Sequence, residues 1–407
     1  MVSTSLETTP QARHVQGVVP FVAVGGLAGL VWAAGLRSWM AQLVGAESSF
    51  SWMTFTLVLL PGLALGACLG WAAHGRPTRT RTARWLAVSP LVLSSALLDP
   101  AIFRLLVTTG EGGGALMVVM TALAGGFVLG RRRWSVLRVL AAVVAVLGLL
   151  LLTGIGTLAG PMSTARGAWV SLFGLTHVLV LCVAATLPYP SRQPSASRTR
   201  SAVLVHVAVG ALVGLAWACA LRGFMAEVAG DESGVDWGPT FGFVLLPGLV
   251  AGGLLGWSAY LRRIGDSRYR RRLALSPFLF AAVLFSDLSD PLAILEDGVG
   301  AGAFAVPLIG LLGGYALVGR GRVVPRLFAG LVVLASMAVW LLTATAVGGP
   351  SFALDTPQGL WASVLYLGLL GVLCLGAAVP LHAAAGEPAR VEHRTRRGQQ
   401  HPALTAG

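Results

Sequence analysis

The sequence contains no lysine, and charge of either sign is scarce, at 11% of 407 residues. A soluble globule of this length needs more polar surface than that, so a soluble fold is excluded. Cysteine is also scarce. The four present, Cys68, Cys182, Cys219 and Cys374, lie in apolar runs without C-x-x-C spacing, which suggests neither a disulfide framework nor a zinc site. They read as small packing residues. Catalytic motifs are missing too: no P-loop, H-E-x-x-H, Ser-His-Asp set or pair of catalytic carboxylates can be assembled. GIGTLAG at 154–160 has the spelling of a glycine loop but no strand before it. The expectation is a protein without enzymatic activity, metal or cofactor.

What is abundant is apolar: 56% of residues are hydrophobic, and the mean hydropathy is +0.79. The fold class expected is an all-α polytopic membrane protein. At about 20 apolar residues per crossing, twelve spans fit, near 17–38, 52–74, 85–107, 112–130, 137–159, 167–188, 202–223, 238–261, 273–295, 300–319, 326–348 and 359–382. The net charge of +13 does not point to nucleic acid, because the basic residues fall in short blocks between these spans. With alternate connections inside, 25 of the 29 arginines share one side, and only Arg37, Arg104, Arg166 and Arg222 remain for the other. This bias predicts a multi-pass protein of the plasma membrane with both termini cytoplasmic. Residues 1–16 are polar and the first apolar run has no A-x-A site, so no cleavable signal peptide is expected.

The chain is internally duplicated. GLVWAAGLRSWMAQLVG at 29–45 and GLAWACALRGFMAEVAG at 214–230 agree at nine of seventeen positions. VLLPGL occurs at 58–63 and again at 244–249, followed by glycines four apart: Gly62, Gly66, Gly70 and Gly248, Gly252, Gly256. Ser89-Pro90 matches Ser276-Pro277, Gly160-Pro161 matches Gly349-Pro350, and Cys182 matches Cys374. An offset of six spans keeps both copies in one orientation, so parallel repeats about an axis along the membrane normal are expected. The organisation is then a tail at 1–16, a first six-helix repeat at 17–190, a linker at 191–201, a second repeat at 202–382 and a basic tail at 383–407. The glycine stripes allow close backbone approach, either as static packing or as a sliding surface between halves. Pro61 and Pro247 predict kinks beside them.

Six plus six parallel spans with basic connections resemble the major facilitator superfamily of transporters. GWAAHGR at 70–76 and GWSAYLRRIG at 256–265 are similar to that family's connection between spans 2 and 3, with Gly70, Gly256, Arg76 and Arg262 fitting; His74 and Tyr260 stand where the family has an acid. The run Arg37, Gly45, Ser49, Trp52, Leu60, Gly62, Gly66, Gly70 resembles the start of the membrane domain of spermidine-synthase-like integral membrane proteins. The soluble nucleotide-binding domain that would make such a protein an enzyme has no counterpart here.

Several polar residues inside the spans need partners. Arg37 stands about 28 Å along the first helix at about 1.5 Å per residue, and Arg222 repeats it. Each either anchors structure, by snorkelling or pairing, or serves substrate binding or gating. Asp99 lies about 21 Å into span 3 by the same count, with Asp287 and Asp290 as its second-half counterparts. The expected pairs are Arg37 with Asp99 and Arg222 with Asp287 or Asp290. His177 lies mid-span in GLTHVLV, opposite Leu369 in the second copy, and can relay protons or hydrogen-bond a helix carbonyl. Glu47, Glu111, Glu232 and Glu296, with Glu227, Asp231, Asp236, Asp297 and Asp355, form an acidic outer face. They read as solvated loop acids or as a mouth that concentrates cations.

The expectation is a secondary transporter with the lipid bilayer and a small molecule or ion as its partners; the alternative is a non-transporting scaffold or partner subunit, with its protein partner unidentified. Cysteines introduced at Ser48 and Ser233 should label from outside, and one at Ser197 should not; the opposite labelling reverses the topology.

Overall fold

The computed structural model describes residues 10–45, 48–75, 80–108, 113–131, 135–189, 200–230, 233–266, 269–285, 301–318 and 322–382. Among these residues there is no strand, and nine helices are long and apolar enough to cross a membrane. The protein is a multi-pass helical membrane protein. The helices are α1 (Pro10–Val44), α2 (Leu60–Gly75), α3 (Thr80–Ala87), α4 (Pro100–Thr108), α5 (Gly113–Gly130), α6 (Val136–Ile155), α7 (Ala165–Ala184) and α8 (Arg200–Ala229). They continue with α9 (Leu246–Arg263), α10 (Arg270–Leu273), α11 (Ala301–Leu317), α12 (Val323–Gly348) and α13 (Pro357–Ala378).

Span 3 departs from expectation. A 3₁₀ stretch, Ser89–Leu98, is followed by α4 after a bend of 97°, so residues 85–107 do not form one straight helix. The break follows from Asp99-Pro100: a residue before proline is pushed out of the helical region, and Asp99 is extended at φ −71°, ψ 117°. The depth assigned to Asp99 by counting along a straight helix is therefore withdrawn. The matching stretch Ser276–Phe285 is also 3₁₀, and the rest of expected span 9 lies outside the described residues.

The two prolines act as expected on span 2 and span 8, with a specific geometry. Proline at 61 cannot donate to residue 57, and the turn before it widens into a π-helical stretch, Phe55–Leu59, in which Leu60 N–H reaches the Phe55 carbonyl. The carbonyl of Leu57 that Pro61 leaves without its helical donor accepts from Ser95 Oγ at 3.4 Å. Trp237–Leu245 does the same before Pro247, with Leu246 N–H on Phe241.

The glycine stripes pack within each half, not between halves. A Cβ on Gly66 would stand 2.8 Å from Gly29 Cα, and one on Gly25 would stand 2.8 Å from Gly70 Cα. In the second copy, a Cβ on Gly252 would stand 2.7 Å from Gly214 Cα, and one on Gly210 would stand 2.8 Å from Gly256 Cα. Backbone thus lies on backbone along α1–α2 and α8–α9, gaining dispersion contacts that lipid cannot match. This geometry favours static packing over a surface on which the halves slide.

Indole N–H groups then tie α1 and α8 to the remaining central helices. Trp32 donates to the His177 carbonyl and Trp39 to the Val170 carbonyl of α7, both at 2.9 Å. Trp361 of α13 donates to Ala34 at 3.1 Å, and Trp217 donates to Leu369 at 2.9 Å. A buried indole needs such an acceptor, and each bond fixes one helix on another. The cysteines are small packing residues with weak bonds: Cys182 meets the Thr121 carbonyl at 3.5 Å and Cys374 that of Ile309 at 3.7 Å.

Gly66→Ala and Gly252→Ala should each destabilise the detergent-solubilised protein by about 1–3 kcal/mol, the usual range for overpacking. Gly154→Ala, where an added Cβ meets nothing within 4 Å, should not. Thermal unfolding of the three variants checks this.

Candidate functional site between the outer ends of α1, α7 and α8

The repeated arginines owe their place to the way their helices end. Gly45 (φ 66°) and Gly230 (φ 54°) adopt the left-handed conformation that stops a helix, and the turns they start are closed by Ser48 N–H on Gly45 and Ser233 N–H on Gly230. The chain therefore folds back over its own helix. Arg37 Nη2 donates to the Ser49 carbonyl at 2.7 Å and to Ser48 Oγ at 3.2 Å, with its guanidinium 3.9 Å from the centre of the Phe50 ring. Arg222 repeats the arrangement: its Nη2 donates to the Gly234 carbonyl at 2.5 Å, and it reaches Ser233 Oγ at 3.3 Å and Thr240 Oγ1 at 3.4 Å. Its guanidinium stands 5.3 Å from the Trp169 ring. Both arginines are buried, and fixed acceptors plus an aromatic face supply what bulk water would.

These bonds bear on the expected pairs. The hydrogen bonds of Arg37 go to its own loop rather than to Asp99, which is half-buried at the span 3 bend. Asp287 and Asp290 lie outside the described residues, as do Glu47, Glu111, Glu232 and Glu296. Asp236 supplies a carboxylate within electrostatic reach of Arg222.

The residue that sequence reading misplaced is Glu227. Expected among the solvated outer acids, it is half-buried in the last turn of α8 and accepts from Gln42 Nε2 of α1 at 2.7 Å. Arg166, the second residue of α7, donates to the Gln42 carbonyl at 3.4 Å. The charges of Arg37 and Arg166 both act on Glu227. A signal for this contact was present in the duplication: Gln42 and Glu227 are equivalent positions of the repeated stretch, 185 residues apart.

Two further equivalent pairs meet below that one. A Cβ on Gly35 would stand 3.3 Å from Ala220 Cβ, and one on Gly223 would stand 2.5 Å from Ser38 Oγ. The order 35–220, 38–223, 42–227 rises together on both helices, so α1 and α8 run parallel where they touch. His177 flanks this seam. It is buried, edge-on to Phe173 at 4.7 Å, and its Nε2 is the atom that a Cβ on Gly35 would meet at 2.6 Å. His177 Nδ1, Ser38 Oγ and Trp169 Nε1 are buried without a hydrogen-bond partner among the described residues. Leaving a polar atom unsatisfied costs about 1–3 kcal/mol, so three such atoms beside one helix contact mark it as more than packing.

No group of three metal-ligating side chains occurs among the described residues. The chain matches no protein-family model, no curated protein and no solved structure.

Arg37→Ala should lower stability by about 2 kcal/mol or more, as hydrogen bonds from a charged group contribute about 1.5–3 kcal/mol each. In double-mutant cycles read by thermal unfolding, Arg37→Ala should couple with Ser48→Ala and add independently to Asp99→Ala. Coupling to Asp99 instead would restore the expected ion pair.

Proposed function

We propose that the protein is a secondary transporter of a small solute, built of two parallel six-helix repeats that rock about an axis along the membrane normal. Equivalent residues of two repeats come together only at the axis relating them, and three successive turns of α1 and α8 do so. An axis lying in the membrane plane would bring such pairs together at a single level. The parallel course of the two helices therefore supports the normal axis.

The single observation that carries the transport reading is the exposure along that seam. Positions 21, 24 and 28 continue the helix face that holds 35, 38 and 42, at spacings of three and four residues. At the outer turns this face is buried against α8, whereas Phe21 and Val24 are 48% and 45% exposed. On α8 the continuation behaves alike, with Val213 41% and Val205 60% exposed. The two axial helices are thus in contact at the ends bearing Arg37 and Arg222 and uncovered toward the ends that adjoin the arginine-rich connections. That is the form of a cleft closed on one side of a bilayer and open on the other, with the termini on the open, cytoplasmic side of the plasma membrane. Close glycine packing inside each half keeps α1 with α2 and α8 with α9, so a change of access moves halves as units.

A bulky water-soluble maleimide should label Val24→Cys and Val213→Cys from the side of the arginine-rich connections in a background without native cysteines. Cross-linking Val19→Cys to Leu204→Cys should stop solute loss from proteoliposomes filled with a mixed metabolite extract, read by mass spectrometry. No labelling at either site would place these faces in lipid, and retention of every solute by the uncross-linked protein would favour a scaffold.

A further inference from the structure

The outer closure holds a titratable group that has no counterpart of the same kind in the other repeat. Glu227 faces Gln42, so one half brings a carboxylate to the seam and the other an amide. The charged groups around it come from every neighbouring element: Arg37 of α1 and Arg166 of α7 act on Glu227 itself. Arg222, on the same helix as Glu227, is acted on by Arg166 and by Asp236. Glu47, Asp231 and Glu232 are close in sequence and lie outside the described residues. Within the described cluster, three guanidinium groups share two carboxylates, an excess of one positive charge. Neutralising Glu227 makes the excess two, and Arg166 of the first half then faces Arg222 of the second with less between them to offset their repulsion.

We propose that Glu227 is a proton-binding site whose occupancy decides whether the outer ends of α1 and α8 stay together. The proposal deepens the transport reading and rests on it for its consequence, since it makes the proton the species that sets access. The step is a simple transfer: hydronium from the outer water gives one proton to a carboxylate oxygen of Glu227, which becomes a neutral acid, and water is left. As carboxylate, Glu227 accepts from the Gln42 amide and balances Arg37 and Arg166. As acid, it offers the arginines no charge, and the seam is held only by neutral contacts at Gly35, Ser38 and their partners. His177, buried beside the same seam with Leu369 as its repeat counterpart, stands one helical turn below Ser38 as a second single-copy titratable group.

The test uses Ser38→Cys in the full chain with the four native cysteines replaced, reconstituted in vesicles and exposed on the outer side to an impermeant maleimide. Ser38 is fully buried in the seam, so labelling reports its opening. Labelling should be slow at mildly alkaline pH and rise about tenfold on mild acidification, corresponding to a shift of population toward the parted state. Glu227→Gln keeps the size and a hydrogen bond to Gln42 but not the charge, and should label fast at both pH values. Gln42→Glu places two carboxylates where they must share a proton, so its response should reverse, slow in acid and fast in alkali. A wild-type pH response in Glu227→Gln, or an unreversed one in Gln42→Glu, overturns the proposal; if one variant fails to fold, the other decides alone. Labelling follows the seam and not solute movement. A protein that opens with acid but carries no solute would therefore sink the transport reading and leave the proton site standing.

Discussion

The rest of the structure depends on the contact between the outer halves of α1 and α8. Gly35, Ser38 and Gln42 meet Ala220, Gly223 and Glu227 there, and small residues at the first two levels let the backbones come close enough for a polar bond at the third. Every other central element is referred to this seam. The tryptophans of α1, α8 and α13 hold α7 and α13 around it through helix carbonyls, and the glycine stripes hold α2 and α9 on its outer flanks. The same helix face is left uncovered nearer the other end, so the seam behaves as a hinge line and not as a fully packed interface.

The arginines make that hinge line affordable in a bilayer. A charged side chain near the middle of a span costs about 2.5–3.5 kcal/mol on insertion scales. Arg37 and Arg222 offset this with loop carbonyls and hydroxyls that their own helix caps bring within 2.5–3.4 Å, and with aromatic faces. Their duplication therefore has a local cause. Each guanidinium binds the loop that its glycine cap turns back, and only Glu227, Gln42 and Arg166 connect the two copies electrostatically. At the opposite end, Arg270 shows that the basic connections are not all solvated orientation signals, because its buried guanidinium donates to the His382 carbonyl.

Much of this was legible in the sequence, and the failures have physical causes. Apolar length found the nine long helices, because no other secondary structure satisfies its backbone in lipid without a partner segment. Glycines four apart announced close helix packing, but not which helix they would meet. Asp99 was misplaced because counting along a helix ignores the extended conformation that Pro100 imposes on its predecessor. Glu227 was read as a loop acid because a span of about 20 residues ends near Gly223, whereas α8 continues to Ala229. Polar side chains near a helix end look like a boundary by hydropathy alone; here neighbouring helices supply their partners, and the helix goes on. The π-helical turns before Pro61 and Pro247 were foreshadowed only as kinks, since the choice between a bend and a widened turn depends on neighbours such as Ser95.

The central claim, that the two halves part and close about the α1–α8 seam, is tested most directly by paired distance measurements in lipid. Met40 and Met225 are equivalent exposed positions near the outer ends, and Val19 and Leu204 are equivalent exposed positions near the inner ends. Spin labels on cysteines at each pair, read by pulsed electron resonance, should give two populations whose outer distance lengthens as the inner one shortens when pH is lowered. A single, unchanging distance at both pairs would contradict the account and leave the seam a static interface.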